Sequence, residues 1–455
     1  MHFMYLRFCL FTTVLVLRTV AQAQEVDYTD VGVIVNLNSD DSQAIGAYFV
    51  AARNIPAENV IEVNVPVTEQ ITPQEFADLQ EQVEQHLLNN GLVDQLNYLV
   101  TTKGVPLRSG TTACNTSSNF SGCKSIDSQL CLILGPLTSA IGANPTVQNP
   151  FRTSTSDHSR ANNGIYLVTR LDGFKLEDVQ ALIERSGPNV SVVKEDALIV
   201  ADAAWAGDPG ALSVFVEQFE SITTPLEQNG WSTLTDVSPT VVTEIEDLFG
   251  YISVHDAPAL NEPEFTWMAG AIAMEWWNFS AFSFDPSTTT PEHRRIAERV
   301  AEGVIGARGN VTAQFGTPNY HAYHTWVRYT DTSYHFNLAE SFYAGIMTLN
   351  DSYVVIGDPK TSIVLTSNTS ISDTDRSVNV VAYPNPNNGN FIISSSDPFQ
   401  SYRITDMLGR TIPSASGTWS DRLSIDLSEQ PEGIYVLQGS TRNGKRFTIR
   451  VIVQR

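Results

Sequence analysis

The chain has 455 residues, 42% of them hydrophobic, so it can bury a sizeable core and holds more than one ordinary domain. Its 27 Lys and Arg against 50 Asp and Glu leave a net charge of −23, which excludes nucleic acid as a partner because the phosphate backbone would repel it. Only 17% of residues are charged, so the polar surface leans on Ser, Thr, Asn and Gln.

Residues 1–23 read as a secretory signal handled by the Sec machinery. Arg7 supplies the positive end, Phe8 to Leu17 an apolar run too short to span a bilayer, and Ala21-Gln22-Ala23 a cleavage site. No later run reaches about 18 apolar residues, so no transmembrane segment is expected.

Residues 25–365 alternate strand and helix patterns. Val33 to Val35 is a strand. Ser42 to Ala52 is a helix with Ile45, Tyr48, Phe49 and Ala52 on one face. Val60 to Val65 is a strand. Thr72-Pro73-Gln74-Glu75 is a capping box, and its helix runs to about Asn89, stopped by Gly91. Tyr98 to Thr101 is a buried strand. Residues 109–163 break the rhythm as an insertion rich in Ser, Thr, Asn and Gly, anchored through the apolar island Leu130 to Leu134. The alternation then resumes, with strands at Ile165 to Val168, Ala197 to Ala201, Gly250 to Val254, Phe279 to Phe284, Val311 to Phe315 and Tyr353 to Ile356. Helices are expected at Leu176 to Arg185, Leu212 to Ile222 (ended by Pro225), Ile272 to Trp276, Arg294 to Ile305 and Leu338 to Ile346. This predicts an α/β body, a mostly parallel sheet with helices on both faces, whose ligands bind beyond the carboxyl ends of the strands.

Residues 366–380 read as a linker. After it, short alternating runs separated by Gly, Asn and Pro turns predict a small antiparallel β-sandwich. Charge divides at the same boundary. Residues 376–455 carry nine basic and six acidic residues, whereas 24–375 carry 16 and 44. The mature chain has three cysteines. Cys114 and Cys123 are placed to form a disulfide in an oxidising compartment, and Cys131 reads as a small buried hydrophobe.

The tail carries Tyr383-Pro384-Asn385-Pro386, Gly389-Asn390-Phe391, Ile404-Thr405-Asp406-Met407-Leu408-Gly409-Arg410 and Pro431-Glu432-Gly433-Ile434-Tyr435-Val436-Leu437. In that order, residues 381–455 resemble the type A C-terminal sorting domain of type IX secretion. The resemblance implies a β-sandwich recognised by the type IX translocon. It also implies a secreted or surface-attached product of a Gram-negative bacterium, and a tail often removed on release. The body, through Ala52-Arg53-Asn54-Ile55-Pro56, Tyr98 to Arg108, Ser125 to Ser128, Leu167 to Gly173 and Gly357-Asp358-Pro359, resembles an uncharacterised family of secreted bacterial proteins. More remotely, its order of elements resembles the caspase-like (or flavodoxin-like) α/β fold of gingipain-type cysteine peptidases.

That remote resemblance places a catalytic histidine after one strand and a cysteine after the next. His255 stands at the first position. The second, Asn278 to Ser283, contains no cysteine, leaving Ser280 as the alternative nucleophile. Lys103, Arg108, Asp127, Arg170 and Asp172 are expected at one strand edge. They form either a cationic pocket for a substrate carboxylate or ion pairs that hold the insertion down. His321, His324 and His335 are the metal candidates, although Pro318, Tyr320, Tyr323 and Trp326 predict a loop there. Asn38 to Asp41 either binds Ca²⁺ or starts a helix. Ca or Zn is compatible with the sequence, which requires neither. Three functional readings follow: an exported protein on a peptidase-like body lacking the catalytic cysteine, a hydrolase using His255 with Ser280 or a metal, and a non-enzymatic surface binder or adhesin.

Overall fold

The computed structural model describes residues 26–111, 114, 123–142, 146–204, 209–255, 264–276, 279–288, 290, 293–312, 322–366, 380–406, 410–412, 420–442 and 446–455. The expected signal peptide lies outside them, as does most of the expected linker. Among the described residues, no helix is long and apolar enough to cross a membrane.

The first half of the body contains β1 (Val31–Asn36), α1 (Asp40–Arg53), β2 (Val60–Val63), α2 (Pro73–Asn89), β3 (Tyr98–Thr102), β4 (Leu167–Leu171) and α3 (Leu176–Arg185). The second half contains β5 (Leu198–Ala204), α4 (Pro209–Gln228), β6 (Ser232–Asp236), β7 (Ile245–His255), β8 (Phe265–Glu275), α5 (Arg295–Glu302), β9 (Gly306–Asn310), α6 (Ala322–Thr330), α7 (Leu338–Ala344) and β10 (Tyr353–Gly357). All ten strands join one sheet in the order β6-β5-β7-β8-β9-β10-β4-β3-β1-β2. Pairing is parallel throughout β2-β1-β3-β4 and β6-β5-β7-β8-β9. β10 runs antiparallel to β9 and meets β4 where Ile356 faces Arg170. The body is thus a mixed α/β domain on a large, mostly parallel sheet.

Local chemistry explains the helix starts. Ser39 caps α1 by accepting from the Ser42 amide, with Asp40 and Asp41 in the first turn, where the helix dipole favours negative charge. Thr72 and Glu75 close a reciprocal capping box on α2, with Pro73 at the first position. Asn337 and Glu340 do the same on α7. The apolar island of the insertion, Leu130 to Ile133, is fully buried in the main core.

Four expectations fail in instructive ways. Ile272 to Glu275 belong to β8 rather than a helix, with Trp276 just beyond its end, because a short, mostly apolar run has no period to tell strand from helix. Residues 279–284 form a turn, with Phe279 at φ +66° and Ala281 N bonded to the Asn310 carbonyl. Of the strand expected at 311–315, residues 313–315 lie outside the described residues and Val311 and Thr312 are not in a strand; β9 lies just before them, in Gly-Ala-Arg-Gly-Asn, whose polarity hides it. Gly306 and Gly309 are required there, since a Cβ would fall 2.3 Å from Leu338 Cδ1 and 2.4 Å from Ile296 Cγ1. Pro225 sits inside α4 instead of ending it, because buried Phe219, Ile222 and Leu226 hold both sides of the proline to the core.

The tail comprises β11 (Val380–Tyr383), β12 (Asn390–Ser395), β13 (Phe399–Asp406), β14 (Arg422–Asp426), β15 (Gly433–Thr441) and β16 (Arg446–Val453). β11-β12-β14 form one antiparallel sheet, and Thr411–Ile412, β13, β15 and β16 form another. The two enclose a core of their own, including Phe391, Ile393, Phe399, Leu437 and Phe447.

Candidate functional site

The carboxyl ends of β3 and β4 carry a network of buried charges. Arg170, last but one in β4, is wholly buried. Its Nη2 and Nε donate to the two carboxylate oxygens of Asp127 at 2.7 and 2.9 Å. Its remaining donors reach the Val105 and Pro106 carbonyls at 2.8 Å and Asp172 at 3.5 Å. Burial opposes this charge, but Asp127 and Asp172 outweigh it and hold the guanidinium pKa above its ordinary value. Thr101 Oγ1 donates to Asp127 at 3.0 Å. The short helical turn Ile126–Leu130, which supplies Asp127, is therefore tied directly to two central strands.

Lys103 follows β3. Its Nζ donates to Asp172 at 3.4 Å, to the Gly173 carbonyl at 2.8 Å and to the Phe284 carbonyl at 3.2 Å. Arg108 donates to the Phe282 carbonyl at 2.5 Å and lies 3.6 Å above the Phe282 ring. Burial lowers its pKa to about 10. All five residues expected at this edge meet there, and each of the three cations faces acceptors of the protein itself. The turn after β8 docks on the edge through the same bonds.

Beside Lys103 lies a cleft of about 290 Å³, lined by Ser39, Asp41, Glu69, Asp172, Phe174, Phe284 and Asp285 among others. Glu69 accepts from the Phe284 amide at 2.6 Å and the Ser283 hydroxyl at 3.1 Å, and burial raises its pKa. Sequence reasoning missed Glu69, which sits in a loop without motif or period. The cleft's titratable rim is mainly acidic, and its walls are part aromatic.

The remaining candidates disperse. His255 is the last residue of β7, paired with Ala204 of β5, and its side chain lies outside the described residues. Ser280 is fully buried. It accepts from the Asn310 amide at 3.1 Å and donates to the Glu275 carbonyl at 3.3 Å. β8 ends at Glu275, and Trp276-Trp277-Asn278 follows, so neither thiol nor hydroxyl stands immediately beyond that strand. Cys131 is buried, 3.0 Å from Tyr343 Oη, with its thiol pushed up to about 12 by burial. Cys114 and Cys123 form a disulfide with Cα atoms 5.9 Å apart.

His321 lies outside the described residues. His324 is buried in α6 against the Tyr323 ring, and His335 is exposed at φ +58°. The loop expected around His324 is instead helix α6, because Ala322, Thr325, Trp326 and Tyr329 present one buried face to the core. Among the described residues, no three His, Cys, Asp or Glu side chains gather as a metal site. Arg53 and Asp358, from two of the segments that carry the body's resemblance, form an ion pair of 2.7 Å, and Asp358 also accepts from Tyr28 just before β1. Asp358 thereby ties the end of β10 to the end of α1 and to the segment before β1, away from the cleft.

The tail sandwich, with its own core and turns, defines the class of protein: one exported under a C-terminal address. Residues 381–454 match the secretion system C-terminal sorting domain, the address read by type IX secretion, so the chain is of a kind that is secreted or held at the cell surface. In three dimensions the chain is similar to a crystal structure of the Arg-specific cysteine proteinase gingipain R, with 12% identity and a TM-score of 0.43, covering 95% of this chain and 100% of that one. It is also similar to the complex of the Porphyromonas gingivalis gingipain pro- and mature domains, with 12% identity, a TM-score of 0.39 and coverages of 93% and 100%. No curated protein matches the chain by sequence.

Proposed function

We propose that this is a surface-attached or released cargo of type IX secretion whose body is a caspase-like α/β scaffold, helices on both faces, that binds a ligand without nucleophilic catalysis. One observation carries the reading. Where a nucleophile would follow β8 the chain has Trp276-Trp277-Asn278, and the nearby hydroxyl, Ser280, is buried and bonded on both sides to backbone. A serine needs a base within hydrogen-bond reach and an open face for substrate, and Ser280 has its hydroxyl engaged elsewhere. Cys131 is no substitute, since a thiol at about 12 supplies almost no thiolate at neutral pH. The strand order β6-β5-β7-β8-β9 with β10 antiparallel supports the caspase-like assignment. The cleft beside Lys103 and Glu69 is the site we assign to the ligand.

The test is activity-based labelling of the secreted full-length protein with a fluorophosphonate and a cysteine-directed epoxide. Neither probe is expected to label it. Labelling that disappears in Ser280→Ala or His255→Ala would overturn the proposal.

A further inference from the structure

We infer that the sorting domain is an integral layer of the body, held by a specific intramolecular interface that persists without the covalent connection. The argument begins with strand alternation. In an antiparallel sandwich one face of each sheet meets the core and the other meets water, so outward residues are usually polar. β11 and β12 depart from this. Val380, Ala382, Phe391 and Ile393 face the tail's own core, yet the alternating positions are Val381, Tyr383 and Ile392. The β11 side of this sheet is therefore apolar on both faces, as befits strands covered on both sides, while Ser424 and Arg422 of β14 make the far side of the outward face polar.

The second cover is the body. Val381, Tyr383 and Ile392 pack into a cluster with Leu198 and Val200 of β5 and Leu234 of β6. Tyr251 and Phe265 extend the cluster across β7 and β8. A parallel sheet needs both faces buried, and helices normally cover them. Among the described residues this cluster contains no helical residue, and the tail sheet occupies the place a helix would fill.

The contact is also specified by charge. Asp236, the last residue of β6, is completely buried. Its Oδ2 accepts from Tyr383 Oη at 3.0 Å, and its Oδ1 accepts from Arg422 Nη1 at 2.6 Å. The Arg422 guanidinium lies 5.5 Å from the Tyr383 ring. A buried carboxylate whose side-chain donors both come from the tail would lose them together if the tail left. The opposite face of the tail differs: Arg403, Gln438 and Thr448, on the β13-β15-β16 sheet, are exposed. With the β11-β12-β14 sheet occupied by the body, this second sheet is the face left open to an export receptor.

The test uses the full chain with a protease site inserted between residues 366 and 380. After cleavage, the two pieces of the wild type are expected to sediment as one species at micromolar concentration. Arg422→Ala should weaken the association roughly tenfold or more, because it strips a buried carboxylate of its partner. Arg403→Ala, on the outer sheet, should leave it unchanged. Wild-type pieces that separate while each keeps its circular dichroism would overturn the inference. So would an Arg422→Ala protein that associates as tightly as Arg403→Ala.

Discussion

Arg170 and Asp127 face each other through two hydrogen bonds of 2.7 and 2.9 Å, both side chains buried, at a junction of β3, β4 and the insertion. The pair converts an otherwise irregular segment, rich in Ser, Thr and Asn, into a fixed wall of the carboxyl edge. An Asp127→Ala substitution leaves the guanidinium buried without its bidentate partner. It should destabilise the protein by about 3–5 kcal/mol. Denaturant unfolding followed by circular dichroism measures this, and a loss below about 1 kcal/mol would contradict the role assigned to the pair.

A second prediction concerns pH. Burial raises the Glu340 carboxyl to about 7 and lowers the neighbouring His158 to about 4, and the His158 amide donates to Glu340 at 2.7 Å. Glu340 binds more protons folded than unfolded, so its contribution falls as pH rises from about 4.5 to about 7. His158 binds fewer, so its contribution is present above about 6.5 and is lost as pH falls towards 4. Each amounts to about 3 kcal/mol over its window, and the two oppose each other where they overlap. Glu340→Gln should uncover the His158 slope, making stability rise from pH 4 to 6.5. Unfolding free energies across pH 4–8 provide the measurement, and parallel curves for variant and wild type would refute the assignment.

Ser280→Ala tests the structural role of that hydroxyl. The Asn310 amide loses an acceptor inside the core, which costs about 1–3 kcal/mol. Thermal unfolding should show the loss. Unchanged stability would mean that the hydroxyl is not holding the turn after β8.

Removing the Cys114–Cys123 link should act locally. A loop this short is worth at most roughly 2–3 kcal/mol by chain entropy. A double serine variant should therefore keep the main sheet and become more sensitive to proteolysis within the insertion. Peptide mapping of the nicked protein identifies the site. Cleavage scattered through the sheet would contradict a local effect.

Much of this molecule can be read before it folds. The capping box at Thr72 to Glu75 and the helix at Leu176 to Arg185 are recovered because caps and amphipathic spacing are local properties. The tail's address is likewise written in short turns and alternating strands. The second half of β8 and all of β9 resisted because they are buried on both faces, where periodicity carries no signal, and in β9 glycine is chosen for contact with Leu338 and Ile296.

The chemistry of the edge divides in the same way. From the sequence, Lys103, Arg108, Asp127, Arg170 and Asp172 are expected near one end of the sheet, because each lies at or just beyond a strand end, or in the insertion between strands. Only the tertiary structure decided where their charges point: into one another and into backbone carbonyls, since cations denied water must find acceptors nearby. It also decided that Ser280 is spent on backbone and that Asp236 waits for a tyrosine and an arginine some 150 and 190 residues further along (|i−j| of 147 and 186). Those relations depend on which distant segments the packed sheet brings together, and no local pattern records them.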